Sequence, residues 1–204
     1  MPMRVIAGSA KGRKLKTVPG DTTRPVMDRV KEALFSILGR EVIDARFLDL
    51  FAGTGSVGIE ALSRGAKQAV FVELEKAAVR TIQSNLAATQ LGDRAIIRRT
   101  DVFAFLKHPA PAEPYDFIYI APPQYKNLWL NTLKTLDEHP AWVGEDTIVI
   151  VQIDPKEQRD VQLQLTHLNP YNERRYGHTL LWFFELNVEA TNTPSETPDD
   201  AEQD

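Results

Sequence analysis

The sequence predicts an α/β fold, a mostly parallel, Rossmann-like sheet of seven strands, and three observations lead to that prediction. Short apolar runs alternate with amphipathic helical patterns through the middle of the 204-residue chain, which places parallel strands in one sheet with helices on both faces. A glycine-rich turn joins the first apolar run to the helix behind it. The last two apolar runs have no helix between them, which predicts a terminal antiparallel hairpin.

The first 40 residues precede this alternation and are basic, with nine lysines and arginines against three acidic residues. Over residues 1–20, short apolar and basic positions alternate with glycines, which predicts a small β-hairpin. Residues 28–38 carry apolar side chains at helical spacing and predict an amphipathic helix. We therefore expect residues 1–40 to form a basic extension of a main domain at 41–188.

The main domain has a regular series of strand and helix patterns. Strands are predicted at 47–51, 69–73, 95–99, 115–120 and 147–152. Helices are predicted between them at 57–64, 76–89, 102–107 and 125–136. The terminal hairpin is predicted from strands at 163–168 and 179–186, joined by a loop at 169–178 that contains Arg174 and Arg175.

Composition is that of an ordinary soluble globular protein, with 43% apolar and 25% charged residues. No apolar run approaches the roughly 20 residues that cross a bilayer, and the first residues show no signal peptide, so we expect a cytoplasmic protein. The absence of cysteine excludes disulfides, thiolate zinc sites and cysteine nucleophiles. The four histidines are scattered along the chain, so we expect no metal site.

The net charge of −4 conceals an uneven distribution. Residues 188–204 hold six acidic residues and no lysine or arginine, and we expect an acidic, disordered tail at 189–204. The rest of the chain is slightly basic. The overall charge therefore does not argue against a nucleic-acid partner.

The glycine turn is the most informative motif. Gly53, Gly55 and Gly58 follow a strand and open a helix, the arrangement that holds an adenosine-containing cofactor at the carboxyl edge of a sheet. Glu73 ends the next strand, where a carboxylate can accept hydrogen bonds from ribose hydroxyls. The alternative is that these glycines only make a tight turn and allow close helix packing.

Two further strand ends carry polar or rigid groups. Asp101 follows the third predicted strand, where it can accept a hydrogen bond from an adenine amino group, cap the next helix, or do both. Pro122 and Pro123 follow the fourth strand, and the pair fixes the backbone. Their carbonyls could accept the N–H groups of a planar amine while Tyr125 stacks on its face. The alternative is a stiff connection without chemistry.

Two segments together, residues 23–35 (TRPVMDRVKEALF) and 48–61 (LDLFAGTGSVGIEA), are similar to the RsmD-type family of bacterial small-subunit ribosomal RNA (guanine-N2)-methyltransferases. The similarity extends over about residues 3–186. It implies the class I S-adenosylmethionine-dependent methyltransferase fold, with S-adenosylhomocysteine as product and no metal. It also implies transfer of a methyl group to the exocyclic N2 amine of a guanine in 16S ribosomal RNA.

The resemblance also implies roles for individual residues. The methionine end of the cofactor would be held by Asp49, Gly53 and Gly55, the ribose by Glu73, and the adenine by Asp101 and Val102. The predicted cofactor-binding set is completed by Phe51, Thr54 and Gly58.

The segment expected to carry the chemistry departs from the family motif, which reads Asp/Asn-Pro-Pro-Tyr/Phe. It consists here of Ala121, Pro122, Pro123, Gln124 and Tyr125. Ala121 has no side-chain acceptor for the guanine amine, whose lone pair is delocalised into the ring. We hypothesise that Gln124, which falls between the prolines and Tyr125, supplies the missing oxygen.

The basic extension is expected to contact RNA phosphates. The predicted residues are Lys11, Arg13, Lys14, Lys16, Arg24 and Arg29, and Arg174 with Arg175 would extend this surface. The expected partner is ribosomal RNA, either free or within an assembling small subunit, and we expect a monomer that binds no membrane.

Three alternatives remain open from the sequence. The first is a non-catalytic RNA-binding or ribosome-assembly protein that keeps the fold, the second a nicotinamide-dependent oxidoreductase, and the third a methyltransferase acting on a small-molecule amine.

Overall fold

The computed structural model of this chain describes residues 3–19, 28–159 and 161–187. Arg24 and the predicted acidic tail at 189–204 lie outside these ranges. The described residues form a seven-stranded sheet with helices on both faces, which confirms the predicted fold class. The division at residues 40 and 41 stays a prediction. Within the described ranges, no helix combines the length and apolarity needed to cross a membrane.

The sheet has the strand order β3-β2-β1-β4-β5-β7-β6. Its strands are β1 Arg46–Leu50, β2 Gln68–Val72, β3 Ala95–Arg98, β4 Phe117–Ile120, β5 Ile148–Ile153, β6 Leu168–Tyr176 and β7 Thr179–Leu186. Strands β1 to β5 run parallel, while β7 pairs antiparallel with both β5 and β6. The chain order reverses between β1 and β4, and the carboxyl ends flanking such a switch point are where open α/β sheets bind ligands.

Helices cover both faces of the sheet and divide the core into two clusters. They are α1 Asp28–Leu38, α2 Ser56–Ser63, α3 Lys76–Thr89, α4 Val102–Leu106, α5 Leu128–Glu138 and α6 Pro155–Gln158, besides three short 3-10 helices. Phe47 and Phe71 pack with the apolar side chains of α1 to α3. Leu48 and Val70, which point to the other face, pack with α4 and α5.

The N-terminal segment, residues 3–19, folds back on itself as the short antiparallel hairpin that the sequence predicts. Its only bridge in the described part of the chain pairs Arg4 with Lys14. The backbone amides of Ile6 and Ala7 donate to the Glu60 carboxylate on α2, at 2.8 and 3.0 Å. The Val5 amide donates to the Arg13 carbonyl at 3.0 Å and the Leu15 amide to the Met3 carbonyl at 2.8 Å. The hairpin is therefore paired across its two arms and is also fixed to α2.

The terminal hairpin forms, but its first strand is β6 at Leu168–Tyr176 and not the predicted 163–168. Arg174 and Arg175 therefore lie on a strand and not in a loop. Strand β6 is at the edge of the sheet, where exposed polar residues are tolerated. Its Pro170 lies beside an irregularity in the register between Pro170 and Asn172, as expected for proline on an edge strand. A polar, proline-containing segment is therefore easily taken for a loop.

Candidate functional site

The glycine turn connects β1 to α2 through a backbone that needs unusual conformations. Phe51, Gly53 and Gly55 have φ angles of +63°, +55° and +73°. Gly58, in the first turn of α2, is required for a different reason. A Cβ atom there would lie 2.4 Å from the Phe71 ring, so only glycine lets α2 pack this closely on β2.

Asp49 lies beneath this turn and is almost completely buried, with 2% of its surface exposed. Its Oδ2 accepts a hydrogen bond from the Gly58 amide at 3.1 Å. Burial raises the pKa of Asp49 to about 8, against the lowering effect of the Gly58 bond, and the nearby Glu73 carboxylate adds to the rise. A buried carboxyl group with this pKa suits a ligand that brings a positive charge.

Glu73 directly follows β2 and is already bonded to the loops around it. Its Oε2 accepts the Gly53 amide at 2.7 Å, and its Oε1 accepts the Glu75 amide at 2.8 Å. Each carboxylate oxygen can accept more than one hydrogen bond. Glu73 can therefore hold the glycine turn in place and still bind a ribose hydroxyl.

Asp101 is the N-cap of α4, with its Oδ1 accepting the Ala104 amide at 3.0 Å. The capping alternative is therefore present in the structure. The other carboxylate oxygen leaves room for a second role, because capping uses only Oδ1. Val102, the first residue of α4, is buried beside it.

The proline loop, residues 121–127, follows β4, which pairs directly with β1. The two loops therefore leave adjacent strand ends. Pro122 is buried and Ala121 is half-buried, whereas Pro123 and Gln124 are exposed. Ala121 presents only a methyl group where the family motif has an oxygen.

Tyr125 is 64% exposed and has a positive φ of 60°, a conformation that costs energy in a non-glycine residue. Its amide donates to Glu157 Oε2 at 2.9 Å, and its hydroxyl donates to Asp154 Oδ2 at 3.1 Å. Both acceptors belong to a capping box at the start of α6. Sequence reasoning missed them, although Asp154-Pro155 followed by Glu157 after a strand is a capping-box signal.

The predicted RNA-binding side chains of the N-terminal segment are exposed, as is Arg29 on α1. Lys11, Arg13, Lys14 and Lys16 form no ion pair within the described ranges. They are therefore available to phosphates. Arg24, the remaining predicted residue, lies outside those ranges.

Asn85, in the middle of α3, joins this segment to the glycine turn. Its Oδ1 accepts the Lys16 amide at 2.8 Å, and its Nδ2 donates to the carbonyl oxygens of Lys16 and Thr54 at 3.1 and 3.0 Å. Nothing in the sequence signals this role, since an asparagine inside a helix carries no motif. One side chain thus connects the predicted RNA-binding and cofactor-binding elements.

A second anchor lies at the other end of α2. Glu60 pairs with Lys31 at 3.5 Å and with Arg64 at 2.8 Å, and both Glu60 and Lys31 are fully buried. Burial lowers the pKa of Lys31, and the Glu60 charge opposes that change. Among the residues that the structure describes, no group of three or more potential metal-ligating side chains is found.

Comparison with known proteins identifies relatives over most of the chain. The family model described as Conserved hypothetical protein 95 matches residues 3–185. The putative rRNA methyltransferase YlbH of Bacillus subtilis is 41% identical over 165 residues, covering 80% of this chain and 87% of that protein. Ribosomal RNA small subunit methyltransferase D of Escherichia coli K12 is 32% identical over 150 residues, or 74% of each chain.

Solved structures agree with this assignment. A putative methyltransferase from Escherichia coli, yhhF, superposes with a TM-score of 0.78 at 28% identity, covering 91% of this chain and 98% of that one. An RNA methyltransferase from Salinibacter ruber in complex with S-adenosyl-L-homocysteine has the same fold, with a TM-score of 0.59 at 17% identity over 88% of this chain and all of that one. The sheet, the matched segments and these relatives lead to one conclusion: the chain belongs to the RsmD-type family of bacterial ribosomal RNA methyltransferases.

Proposed function

We propose that this protein transfers a methyl group from S-adenosylmethionine to the exocyclic N2 amine of a guanine in small-subunit ribosomal RNA. The observation that carries the proposal is that the glycine turn and the proline loop follow two strands, β1 and β4, that pair directly with each other. Relatives named as rRNA methyltransferases support the substrate class. The guanine N2 position follows from the family resemblance.

The glycine turn and its surroundings fit the cofactor chemically. Asp49 provides a buried carboxyl group for a cationic amino acid end, and Glu73 provides acceptors for a ribose. Asp101 has one carboxylate oxygen beyond the one that caps α4. When bound, S-adenosylmethionine supplies an electrophilic methyl group on a sulfonium. The residues of the chain need only hold that group and the amine in line, about 3–3.5 Å apart.

The proline loop would position the amine. The Pro122 carbonyl can accept one of its N–H groups, and Tyr125 can stack on the base, a contact worth about 1–3 kcal/mol. Loss of the acceptor at Ala121 would cost about 1–3 kcal/mol, or roughly ten- to a hundredfold in rate. Gln124 is exposed one residue before Tyr125, and our hypothesis is that its amide oxygen compensates.

The substrate base must leave its stack to reach this pocket, at a cost of a few kcal/mol. Phosphate contacts from the N-terminal segment would hold the surrounding RNA and offset part of that cost. Asn85 fixes the segment against the glycine turn, so the two binding elements keep a constant separation.

The test is transfer of tritiated methyl groups from S-adenosylmethionine to small-subunit ribosomal RNA, free and in the subunit, taken from cells that lack this protein. We expect label in N2-methylguanosine after nucleoside analysis. S-adenosylhomocysteine should raise the melting temperature, whereas NAD should not.

The second candidate is a non-catalytic RNA-binding or assembly protein, and the methyl side chain of Ala121 is the observation that favours it. Cofactor binding and RNA binding without any transferred label would support it over the enzyme.

A further inference from the structure

A cleft of about 530 Å³ opens on the face of the sheet opposite α1 to α3. It exists because α4 has only five residues, about 7.5 Å of helix, and leaves part of β2 and β3 uncovered. Its described lining contains no acidic residue. Cationic and aromatic side chains dominate it: Arg46, Arg98, Arg99, His108, Phe105 and Trp142.

The cleft shares no residue with the predicted cofactor-binding and RNA-binding sets or with the proline loop, although its Thr100 directly precedes Asp101. It begins at Arg46 and Gln68, the first residues of β1 and β2, and reaches Thr100 behind β3. The first residues of parallel strands lie at the edge opposite the glycine turn. The N-terminal segment contacts α2 and α3, on the other face of the sheet.

One wall of the cleft is rigid. The Trp142 ring lies 5.2 Å from that of Phe105 and stacks parallel to that of Tyr115 at 6.4 Å. The Trp142 Nε1 donates to the Leu106 carbonyl at 3.1 Å. The Arg46 guanidinium lies 5.0 Å above the Tyr115 ring and donates to backbone carbonyls of the loop before β4. This wall is ordered before any ligand arrives.

The opposite side supplies available charge. Arg98, Arg99 and His108 are exposed, and none of them forms an ion pair in the part of the chain that the structure describes. Burial raises the pKa of Tyr115, while the charges of Arg46 and Arg98 oppose that rise. The positive charges of Arg46 and Arg98 are therefore both felt at Tyr115 in the cleft wall. Guanidinium groups bind phosphate oxygens in pairs of hydrogen bonds.

We propose that this cleft binds a nucleotide of the RNA, with its phosphate on Arg98 and Arg99 and its base against Phe105 and His108. The cleft falls within the 300–1,000 Å³ typical of small-ligand sites, which accommodates one nucleotide. The inference rests on the proposed function, because that function makes RNA the polyanion that the protein meets. In this arrangement the RNA extends around the edge strand β3 and contacts both faces of the sheet.

The test measures equilibrium binding of small-subunit ribosomal RNA to the full chain over a range of salt concentrations. The variant is Arg98→Ala with Arg99→Ala. The matched control, Arg40→Ala with Lys134→Ala, removes two exposed charges that belong to neither the cleft nor the predicted RNA-binding set. A second variant, Arg98→Lys with Arg99→Lys, keeps the charge but loses the paired hydrogen-bond geometry of the guanidinium groups. Melting temperature and S-adenosylhomocysteine affinity, measured for every variant, verify the fold.

We expect the cleft variant to raise the Kd for RNA about tenfold relative to the control. Its plot of log Kd against log salt should be shallower by about 1 to 2, since each lost phosphate contact removes roughly 0.7 to 0.9. The variant with Arg98→Lys and Arg99→Lys should retain most of the salt dependence. Photo-crosslinking of thiouridine-substituted RNA should label residues 98–111 in the wild type.

Equal Kd and slope in the cleft variant and the control would overturn the proposal. Micromolar binding of uridine monophosphate with unchanged RNA binding would overturn it in favour of a free nucleotide. RNA binding is measured independently of methyl transfer. If the wild type transfers no label while the cleft variant loses RNA affinity, the proposed function is refuted and the proposed nucleotide site in the cleft is supported.

Discussion

The two loops at the carboxyl edge differ in how the chain holds them. The glycine turn is held by hydrogen bonds to the side chains of Asp49, Glu73 and Asn85. The proline loop is exposed at Gln124 and Tyr125, and the amide and hydroxyl of Tyr125 donate to the capping box of α6. Such a difference suits a cofactor side that is built before binding and a substrate side that a large ligand must enter.

The largest effect is expected from Gly58→Ala, which disturbs the glycine turn and the packing of α2 on β2. The added Cβ would lie 2.4 Å from the Phe71 ring, so α2 must shift. We expect a loss of about 1–3 kcal/mol in the free energy of unfolding and at least tenfold weaker binding of S-adenosylhomocysteine. Urea unfolding and calorimetric titration measure the two effects. Gly92→Ala is the control, because its Cβ would meet nothing within 4 Å, and it should change neither quantity appreciably.

The proline loop is tested by Tyr125→Ala, which removes the aromatic ring proposed to stack on the base. We expect kcat/KM for RNA methylation to fall roughly ten- to a hundredfold, with cofactor affinity unchanged. Tyr125→Phe keeps the ring but loses the hydroxyl bond to Asp154, so it should lose only a few-fold. Equal loss in both variants would mean that the hydroxyl, and not the ring, is what matters.

A sharper test of the same loop concerns the missing acceptor. Gln124→Ala should lower kcat about tenfold if its oxygen replaces the one absent from Ala121, and Gln124→Glu should keep part of the activity. Steady-state methylation with saturating RNA measures this. Unchanged turnover in Gln124→Ala would contradict the hypothesis that Gln124 supplies the missing oxygen. Faster methylation by Ala121→Asp would show that the missing acceptor at position 121 limits the rate.

The last prediction concerns the pH dependence of stability that the buried Asp49 carboxyl group causes. Since the pKa of Asp49 is about 8 in the folded chain and about 3.9 in an unfolded one, the folded state binds the additional proton between those values. The free energy of unfolding should therefore fall with rising pH, by up to about 1.4 kcal/mol per unit, and level off above pH 8. Urea unfolding from pH 5.5 to 8.5 measures it, and Asp49→Asn should flatten this part of the profile.

Local patterns were sufficient for most of the fold. The apolar spacing predicts α1 and α3 at the bounds that the structure gives them, because each buries one continuous face. It fails for β6, whose exposed polar residues carry no alternation. It predicts the N-terminal hairpin but gives no sign that the amides of this hairpin bond to Glu60 on α2. The Glu60 contact joins residues 53 or more positions apart, whereas β6 pairs with the neighbouring β7 and is concealed only by its polar composition.

The candidate site divides in the same way. Residues in motifs, such as Gly58 and Glu73, could be predicted because their chemistry is fixed by local geometry. Asn85 could not be, since its importance comes from three bonds to residues 31 or more positions away. Asp154 and Glu157 could be predicted only in part. Their capping box is visible in the sequence, but their contact with Tyr125 is not.

The buried Glu60 carboxylate has a practical consequence for anyone who shortens this chain. Deleting residues 3–19 would remove two amide donors to Glu60 and the Arg4 carbonyl that accepts Lys31 at 2.6 Å. The deletion would thus open a buried charged pair to water at the same time as it removed the basic residues. Loss of RNA binding in such a truncation would be confounded by damage to the core, and point substitutions of the exposed lysines and arginines are the cleaner genetic tool.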